Sequence, residues 1–509
     1  VSAARIPIGG GTPGLEAGAR DRRLVKFQPP RVHVNELIRA SGPTVLARAR
    51  FLVRNNPYVA NACEYFAAQI VGTGIVPSWK QLRSATMKKD LAQAFLRWTD
   101  EADAEGLTDF YGLQRRAARE LFIAGEVFFR LRPRRPEDGL SVPLQLQMLA
   151  AEMLPVDDNR VLPNGNEVRQ GIEFDAIGRR VAYHFWRAHP DDGTARLRVV
   201  DGTRQTRVPA EQVLHLMDPV EAGQLRGLSR LAPGIVPAWM LDLYDDAELE
   251  RKRVAAYFTV FRKVPAELDA GAHEVQDQGD GTAIQEMAPG AQIVLPPGED
   301  ITIAAPADVG GSYEAFQYRN LLRLAAGIGV PYTALTGDMV RSNYSNERAA
   351  ELKFRRRAEA FQHSVMVFLF CRPVALAWLR AAGMAGAVKG LSPQRLVNDW
   401  PRLSAIAWTP PSWPWVDPTK DVKAAREEVE AGFRSRASVI VARGEDPDQV
   451  DDEIAEDRAR EARLRLHETP SAFAAKPAAS ARAEPADAPE PADPAPGAAP
   501  DQPEGPPDE

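Results

Sequence analysis

The stretch from Ser312 to Leu379 constrains this chain most, because it specifies two helices and the short connection between them. Phe316, Leu321, Leu324 and Ile328 recur at roughly helical spacing and predict one apolar face. Gly327, Gly329 and Pro331 then end the helix, since Gly and Pro both oppose its continuation. The connection that follows is polar, carrying Thr336, Asp338, Arg341, Ser342 and Asn343, and is apolar only at Met339 and Val340. Ser345 is the expected N-cap of the next helix, with Glu347 in a first turn where the helix dipole favours an anion. Phe354, Ala358, Phe361, Val365 and Phe368 predict its buried face. Arg348, Lys353, Arg355, Arg356 and Arg357 cover the remaining surface.

Upstream, residues 44–71 predict two helices, with Asn56 and Pro57 as the cap and first-turn pair of the second. Amphipathic helices are expected at 87–98, marked by Leu91, Phe95 and Trp98, and at 108–124, marked by Phe110, Leu113, Ala117 and Leu121. From Glu126 the period changes to that of strands. Glu126–Arg132 and Val142–Met148 flank a Pro- and Arg-rich turn. Val168–Asp175 and Arg179–Trp186 predict a hairpin bending at 176–178, and Val213–Met217 a further strand. Helix returns from Ser229 to Arg262, with apolar segments at Trp239, Met240, Leu243, Tyr244 and Ala247, then at Val254, Tyr257, Phe258 and Phe261. Residues 264–311 are rich in Gly, Pro, Asp and Gln and predict a small excursion between helices. The Pro- and Trp-rich segment 384–418 predicts irregular packing over a core rather than a proline-recognition groove. Residues 419–466 are helical in pattern and heavily charged. From Ser471 onward Ala, Pro, Asp and Glu dominate, and such a segment buries too little apolar surface to order itself.

The chemistry of an enzyme is hard to find. No Gly-Lys dipeptide occurs, so a Walker A loop is excluded, and there is no Gly-x-Ser-x-Gly, His-Glu-x-x-His or Cys-x-x-Cys. Gly72-Thr73-Gly74 and Gly327-Ile328-Gly329 fall at helix C-termini, whereas a phosphate cradle needs a helix N-terminus. Asp157 and Asp158 read as a solvated turn before they read as a cation site. His184 and His189 read as surface or core residues rather than ligands. Cys63 and Cys371 lie in apolar helical patterns and are expected as buried free thiols. No catalytic residue, metal site or cofactor is therefore expected. With 63 Lys and Arg against 69 Asp and Glu, a net charge of −6 argues against a protein that coats DNA by bulk charge. Residues 1–11 lack the apolar core of a signal peptide, and the most apolar helix is expected to break at Arg372 and Pro373 before it could span a bilayer. The expectation is a cytoplasmic protein without a membrane partner.

Several words of the sequence carry a family resemblance. They are Leu321 to Tyr332, Leu335 to Asp338, Asn343 to Arg348, Arg54 to Tyr58, Ile70 to Gly74, Gln224 to Ser229 and Trp413 to Pro418. In this order and spacing the chain resembles the lambda-type portal proteins of tailed phages, over roughly residues 20 to 465; Asn346 stands where a second serine is more usual. The resemblance implies an α+β portal-type fold. It places a flexible basic arm at 1–43, an α+β wing at 44–228, a stem helix at 229–262 and a clip at 263–311. A second stem helix at 312–329, a tunnel loop at 330–344, a long wing helix at 345–383, a crown at 384–466 and a disordered acidic tail at 467–509 follow.

The resemblance also implies a non-enzymatic function. Portal proteins form a cyclic homo-oligomer, commonly a dodecamer, at one capsid vertex of the virion, after assembly in the host cytoplasm. Double-stranded DNA passes through the channel. The terminase large subunit docks on the ring, the major capsid protein surrounds it, and head-completion or connector proteins later replace the terminase. Thr336, Asp338, Arg341, Ser342 and Asn343 would then face the DNA, with Arg341 opposed by Asp338. One opposed arginine per subunit suits sliding, because each neutralised phosphate adds to retention. Two other readings compete: a metal-dependent DNA-processing enzyme built from dispersed carboxylates, and a scaffold or adaptor that recruits partners through its ends.

Overall fold

The structure, a computed structural model, describes residues 26–194, 204–256, 260–263, 276–277, 283–284, 292–295, 312–413, 418–464 and 466. They fall into two units divided between Asp446 and Pro447. In the first unit, helix α1 (Val34–Asn55) starts before the expected boundary and runs through Pro43. Gly42 precedes that proline, and without a Cβ it escapes part of the clash that keeps most residues before proline out of the helix. The segment Val34–Pro43, read as arm, is thus helical, whereas residues 1–25 of the arm lie outside the described residues. Asn56 accepts a hydrogen bond from the Val59 amide at 2.9 Å and Pro57 opens helix α2 (Pro57–Val71), as the cap pair requires. Strand β1 (Val76–Ser78) leads to α3 (Ala85–Thr99) and α4 (Phe110–Ile123), capped by Ser84 and Asp109. Their expected apolar faces are buried.

Two antiparallel sheets follow. Strands β2 (Glu126–Pro133) and β3 (Leu144–Leu149) pair first. Strands β4 (Arg160–Val161), β5 (Glu167–Arg169), β6 (Ile172–Phe174), β7 (Arg180–Trp186) and β8 (Gln205–Pro209) form a meander in chain order. Strand β9 (Val213–Met217) returns to the free edge of β2. The single strand expected over 168–175 is instead folded back on itself. Gln170 and Gly171 have φ of 51° and 79°, which turns the chain between β5 and β6. A Cβ on Gly171 would lie 2.8 Å from the Leu154 side chain, so the turn admits only glycine there. The expected bend at 176–178 lies between β6 and β7.

Helix α5 (Ile235–Ala256) ends short of the expected Arg262. Phe261 stands in strand β10 (Val260–Lys263) rather than a helix, while Tyr257 and Phe258 lie outside the described residues. Of the excursion, strands β11 (Gln276–Asp277) and β12 (Ala283–Ile284) pair antiparallel, and β13 (Gln292–Leu295) pairs parallel with β10. Helix α6 (Ser312–Ile328) runs antiparallel to α5, with Tyr244 beside Tyr313 and Phe316 at one end and Leu324 and Ile328 beside Gly234 at the other. Leu321, Leu324 and Ile328 are buried as expected; Phe316 is half exposed, because it packs sideways on Tyr244 instead of inward.

Short helix α7 (Tyr332–Thr336) precedes α8 (Tyr344–Phe361), a π-helical segment (Gln362–Cys371) and α9 (Arg372–Ala385). The last three are continuous. The break expected at Arg372 and Pro373 is absent, since the missing N–H of Pro373 falls where the ladder is already changing from i→i+5 to i→i+4 bonds. Ser345–Ala385 is consequently one 41-residue helix, long and apolar enough by length and composition to cross a membrane; 56% of its most apolar window is buried in the protein. The wider π turn also shifts the apolar face. Phe354, Ala358, Phe361 and Val365 are buried, but Phe368 is 57% exposed while Met366, Phe370 and Cys371 turn inward.

A helix not expected from sequence, α10 (Pro393–Leu403), is capped by Ser392. Strand β14 (Ala407–Thr409) then pairs with β1 at the other end of the unit's sequence, and Trp400, Trp408 and Trp413 pack on the core. Trp415 lies outside the described residues. Helices α11 (Pro418–Glu430) and α12 (Arg436–Ala442) complete the unit. The larger core joins residues from Ala49 to Ile406: Phe370 meets Phe129 at 4.3 Å and Phe110 at 5.6 Å, and Trp378 meets Phe95 at 5.1 Å. A smaller cluster of Phe128, Leu154, Ile172, Tyr183 and Phe185 lies under the meander. The second unit has helix α13 (Pro447–Leu464), none of whose residues is buried; the tail beyond Leu466 is outside the described residues.

Candidate functional site

The connection between α6 and α8 is held by its own polar side chains and by side chains of α2, α6 and α8. Gly329, with φ of 86°, ends α6. Asn61 of α2 donates to the carbonyls of Ala334 and Leu335, at 2.7 and 3.1 Å, and so ties α7 to the core. Thr336 Oγ1 donates to the Tyr332 carbonyl at 2.9 Å and accepts from the Asp338 amide at 3.1 Å. Asp338 accepts from the Tyr332 hydroxyl at 3.0 Å and from the Val340 amide at 2.9 Å. Ser342 Oγ donates to Glu347 at 3.0 Å, and Thr333 Oγ1 donates to the same carboxylate at 2.7 Å. Asn343, not Ser345, is the N-cap of α8; its side chain accepts from the Asn346 amide at 2.9 Å.

Arg341 is the one basic side chain of the segment. Asp338 does not oppose it, because that carboxylate is taken by Tyr332 and its own turn. Arg341 reaches back to Glu314 of α6 instead and lies over the Tyr318 ring, 4.5 Å from the centroid. Tyr318 in turn meets Tyr332 edge-on at 5.1 Å. All five residues singled out from sequence are therefore brought together, but they hold the loop rather than project from it. What projects is apolar: Val340 is 93% and Met339 61% exposed. Among the described residues no group of three or more His, Cys, Asp or Glu is placed to hold a metal ion.

A buried polar cluster lies at the start of β2, and no local pattern in the sequence marks it as one. Glu126, at the start of β2, accepts from Arg226 Nε at 2.8 Å, from the Gly227 amide at 2.7 Å and from His215 Nε2 at 3.0 Å. Arg226 also donates to the carbonyls of Leu154 and Ala151, at 2.9 and 3.0 Å. His215 Nδ1 faces Arg180 at 3.2 Å. An arginine only donates, so His215 accepts at Nδ1 and carries its proton on Nε2, towards Glu126. Burial alone would raise the Glu126 carboxyl, but Arg226 and His215 outweigh it and hold it at about 2. Burial pushes His215 below its ordinary value against the pull of Glu126. A Cβ on Gly227 would lie 2.5 Å from the Glu126 side chain, so the close approach requires glycine. The signal in the sequence was the word Gln224 to Ser229, which carries the arginine and the glycine, but not its partners far upstream.

The arrangement repeats once. His184 sits between Arg160 at 3.2 Å and Glu173 at 3.1 Å, and Arg207 closes on Glu173 at 2.7 Å. Both histidines thus serve as links between strands. Asp158 pairs with Arg160 at 3.3 Å in the turn before β4. Cys63 and Cys371 are buried and free, and burial pushes the Cys63 thiol up to about 11.

The model of the phage portal protein, lambda family, matches residues 20–362. The chain is 28% identical over 432 residues to a probable portal protein of Halomonas phage phiHAP-1, covering 83% of this chain and 81% of that protein. It is 25% identical over 482 residues to portal protein B of Escherichia phage lambda, covering 84% and 86%. Among solved structures, a chain of the virion of a native gene transfer agent particle is similar with a TM-score of 0.38 and 16% identity. That alignment covers 80% of this chain and 94% of the other. A chain from the neck of the native particle, computed with C12 symmetry, has a TM-score of 0.37 and 15% identity, covering 78% and 94%.

Proposed function

The chain belongs to the lambda family of phage portal proteins, and from that membership we propose that it forms a cyclic homo-oligomer, a dodecamer, at one vertex of a phage or prophage capsid. Double-stranded DNA is packaged and ejected through its channel. The family is a structural one, and ATP hydrolysis falls to the terminase large subunit that docks on the ring. The major capsid protein and the head-completion proteins are the other partners. The ring assembles in the host cytoplasm and ends in the virion. In this reading α5 and α6 are the stem pair, the chain between them the clip, α8 through α9 the long wing helix, and 330–344 the tunnel loop.

The observation that supports the reading best is the loop itself. Its ends are anchored on α6 and α8, and its only cation is already matched by Glu314. Such a loop offers DNA one exchangeable contact per subunit and little net charge, and weak phosphate neutralisation lets a polymer slide. An exposed Val340 and Met339 add contact area without charge. Two measurements test this. Native mass spectrometry of the pure chain should give a closed ring without nucleotide; an obligatory ATP requirement would count against it. Arg341→Ala with Asn343→Ala should leave that ring intact yet change packaging or retention of DNA in reconstituted heads. Normal packaging and retention by the double variant would remove the loop from the channel.

A further inference from the structure

Helix α5 carries an apolar stripe that the described residues leave largely uncovered. Val236, Trp239, Met240 and Leu243 are 62%, 45%, 58% and 44% exposed, and their spacing of three and four residues places them on one face, opposite buried Ala238 and Leu241. Trp239 is held in place edge-on by Phe51 of α1, with ring centroids 6.0 Å apart, so the stripe is preformed. Asp246 borders it one turn further on and has no ion pair among the described residues. A different exposed helix face matches it. On α8, Ala349, Leu352, Arg356 and Ala360 fall on the solvent side, opposite buried Phe354, Ala358 and Phe361. Leu352 is 47% exposed at the middle of that face, between the small side chains of Ala349 and Ala360, and Arg356 likewise has no ion pair among the described residues.

We propose that the α5 stripe of one copy packs against the Ala349–Ala360 face of α8 in the next copy, with Asp246 meeting Arg356. The occupant is a second copy of this chain because the two faces match in chemistry: exposed apolar side chains on each, with an acid bordering one and a base on the other. A ring contact is heterologous and needs two different patches on each protomer, which these two helices supply. The proposal rests on the ring reading above and names the surfaces that close it.

The test uses the full chain and native mass spectrometry over a concentration series. Asp246→Arg and Arg356→Glu should each raise the concentration for half-assembly by roughly tenfold or more, and the double variant should restore it, since the pair is then re-formed with its signs exchanged. Both positions are exposed, so unfolding midpoints measured at concentrations below assembly should stay at the wild-type value. Independently, Met240→Cys combined with Leu352→Cys should yield a ladder of covalent oligomers under mild oxidation. Rings that form normally in both single variants, or a double variant no better than the singles together with no ladder, overturn the interface and leave the ring standing. A wild-type chain that stays monomeric throughout overturns the ring and this contact together.

Discussion

The Glu126 carboxylate and the Arg226 guanidinium meet 2.6 Å apart with both side chains about 5% exposed or less. A hundred positions separate them in sequence, and the arginine also holds the chain at Ala151 and Leu154. Removing one member of such a pair strands the other charge in the interior.

Arg226→Ala should therefore destabilise the fold by about 3–5 kcal/mol in urea or thermal unfolding. Arg226→Lys should rescue little, because a lysine cannot reach a carboxylate and two carbonyls as a planar fork does. A loss below about 1 kcal/mol for the alanine variant would show that the cluster does not hold the sheets together.

Acid should weaken the protein in two stages. His215 lies below its ordinary 6.5 when folded, so its contribution is full above that value and declines as pH falls through the folded pKa. Glu126 lies at about 2 against an ordinary 4.5, so its contribution is full above 4.5 and is lost as pH falls towards 2, on the order of 3 kcal/mol. Melting temperature measured from pH 8 to 3 should fall in that direction, and Glu126→Gln should flatten the profile below 4.5. An unchanged slope in the variant would sink this assignment.

Phe361→Ala and Phe368→Ala should differ sharply although both lie on the same long helix. Phe361 is buried between Phe66, at 5.4 Å, and the Arg230 guanidinium, so its loss should cost about 3–5 kcal/mol. Phe368 points outward, and its truncation should change stability by about 0.5 kcal/mol or less. Equal effects would place the π segment elsewhere.

In the loop, Asn343→Ala should cost about 1 kcal/mol through the lost α8 cap. Arg341→Ala breaks only an exposed pair and should barely move the midpoint. It should instead speed amide exchange over 337–343, because the clasp onto Glu314 and Tyr318 is gone. Unchanged exchange would mean that the internal hydrogen bonds alone hold the loop.

A thiol-reactive disulfide reagent should leave Cys63 and Cys371 untouched in the native protein and modify both on unfolding. Burial removes access and keeps the Cys63 thiol protonated at neutral pH. Rapid native labelling would contradict the packing of α2 against the long helix.

Much of the helical part was legible because local rules govern it. Asn56 and Pro57, the faces of α3 and α4, and the glycines that end α6 each depend on near neighbours in the chain. The candidate loop was legible as a position and as a set of residues, but not as a network. Nothing local tells Arg341 to choose Glu314 over Asp338; the choice follows from α6 passing beside the loop and from Tyr332 reaching Asp338 first.

The sequence by itself determined the order of helices and strands, the breakers between them and the words that mark the family, since periodicity, capping and turn chemistry act over a few residues. Tertiary structure decided what periodicity cannot carry. It set the π register that turns Phe368 outward, the fold-back at Gln170 and Gly171, and the pairing of β1 with β14 across the length of the unit. It also gathered Glu126, His215, Arg180 and Arg226 into one buried cluster. The physical reason is common to all of these. Burial raises the energy of any unpaired polar group or unfilled space, and only the assembled fold determines which distant residue satisfies it.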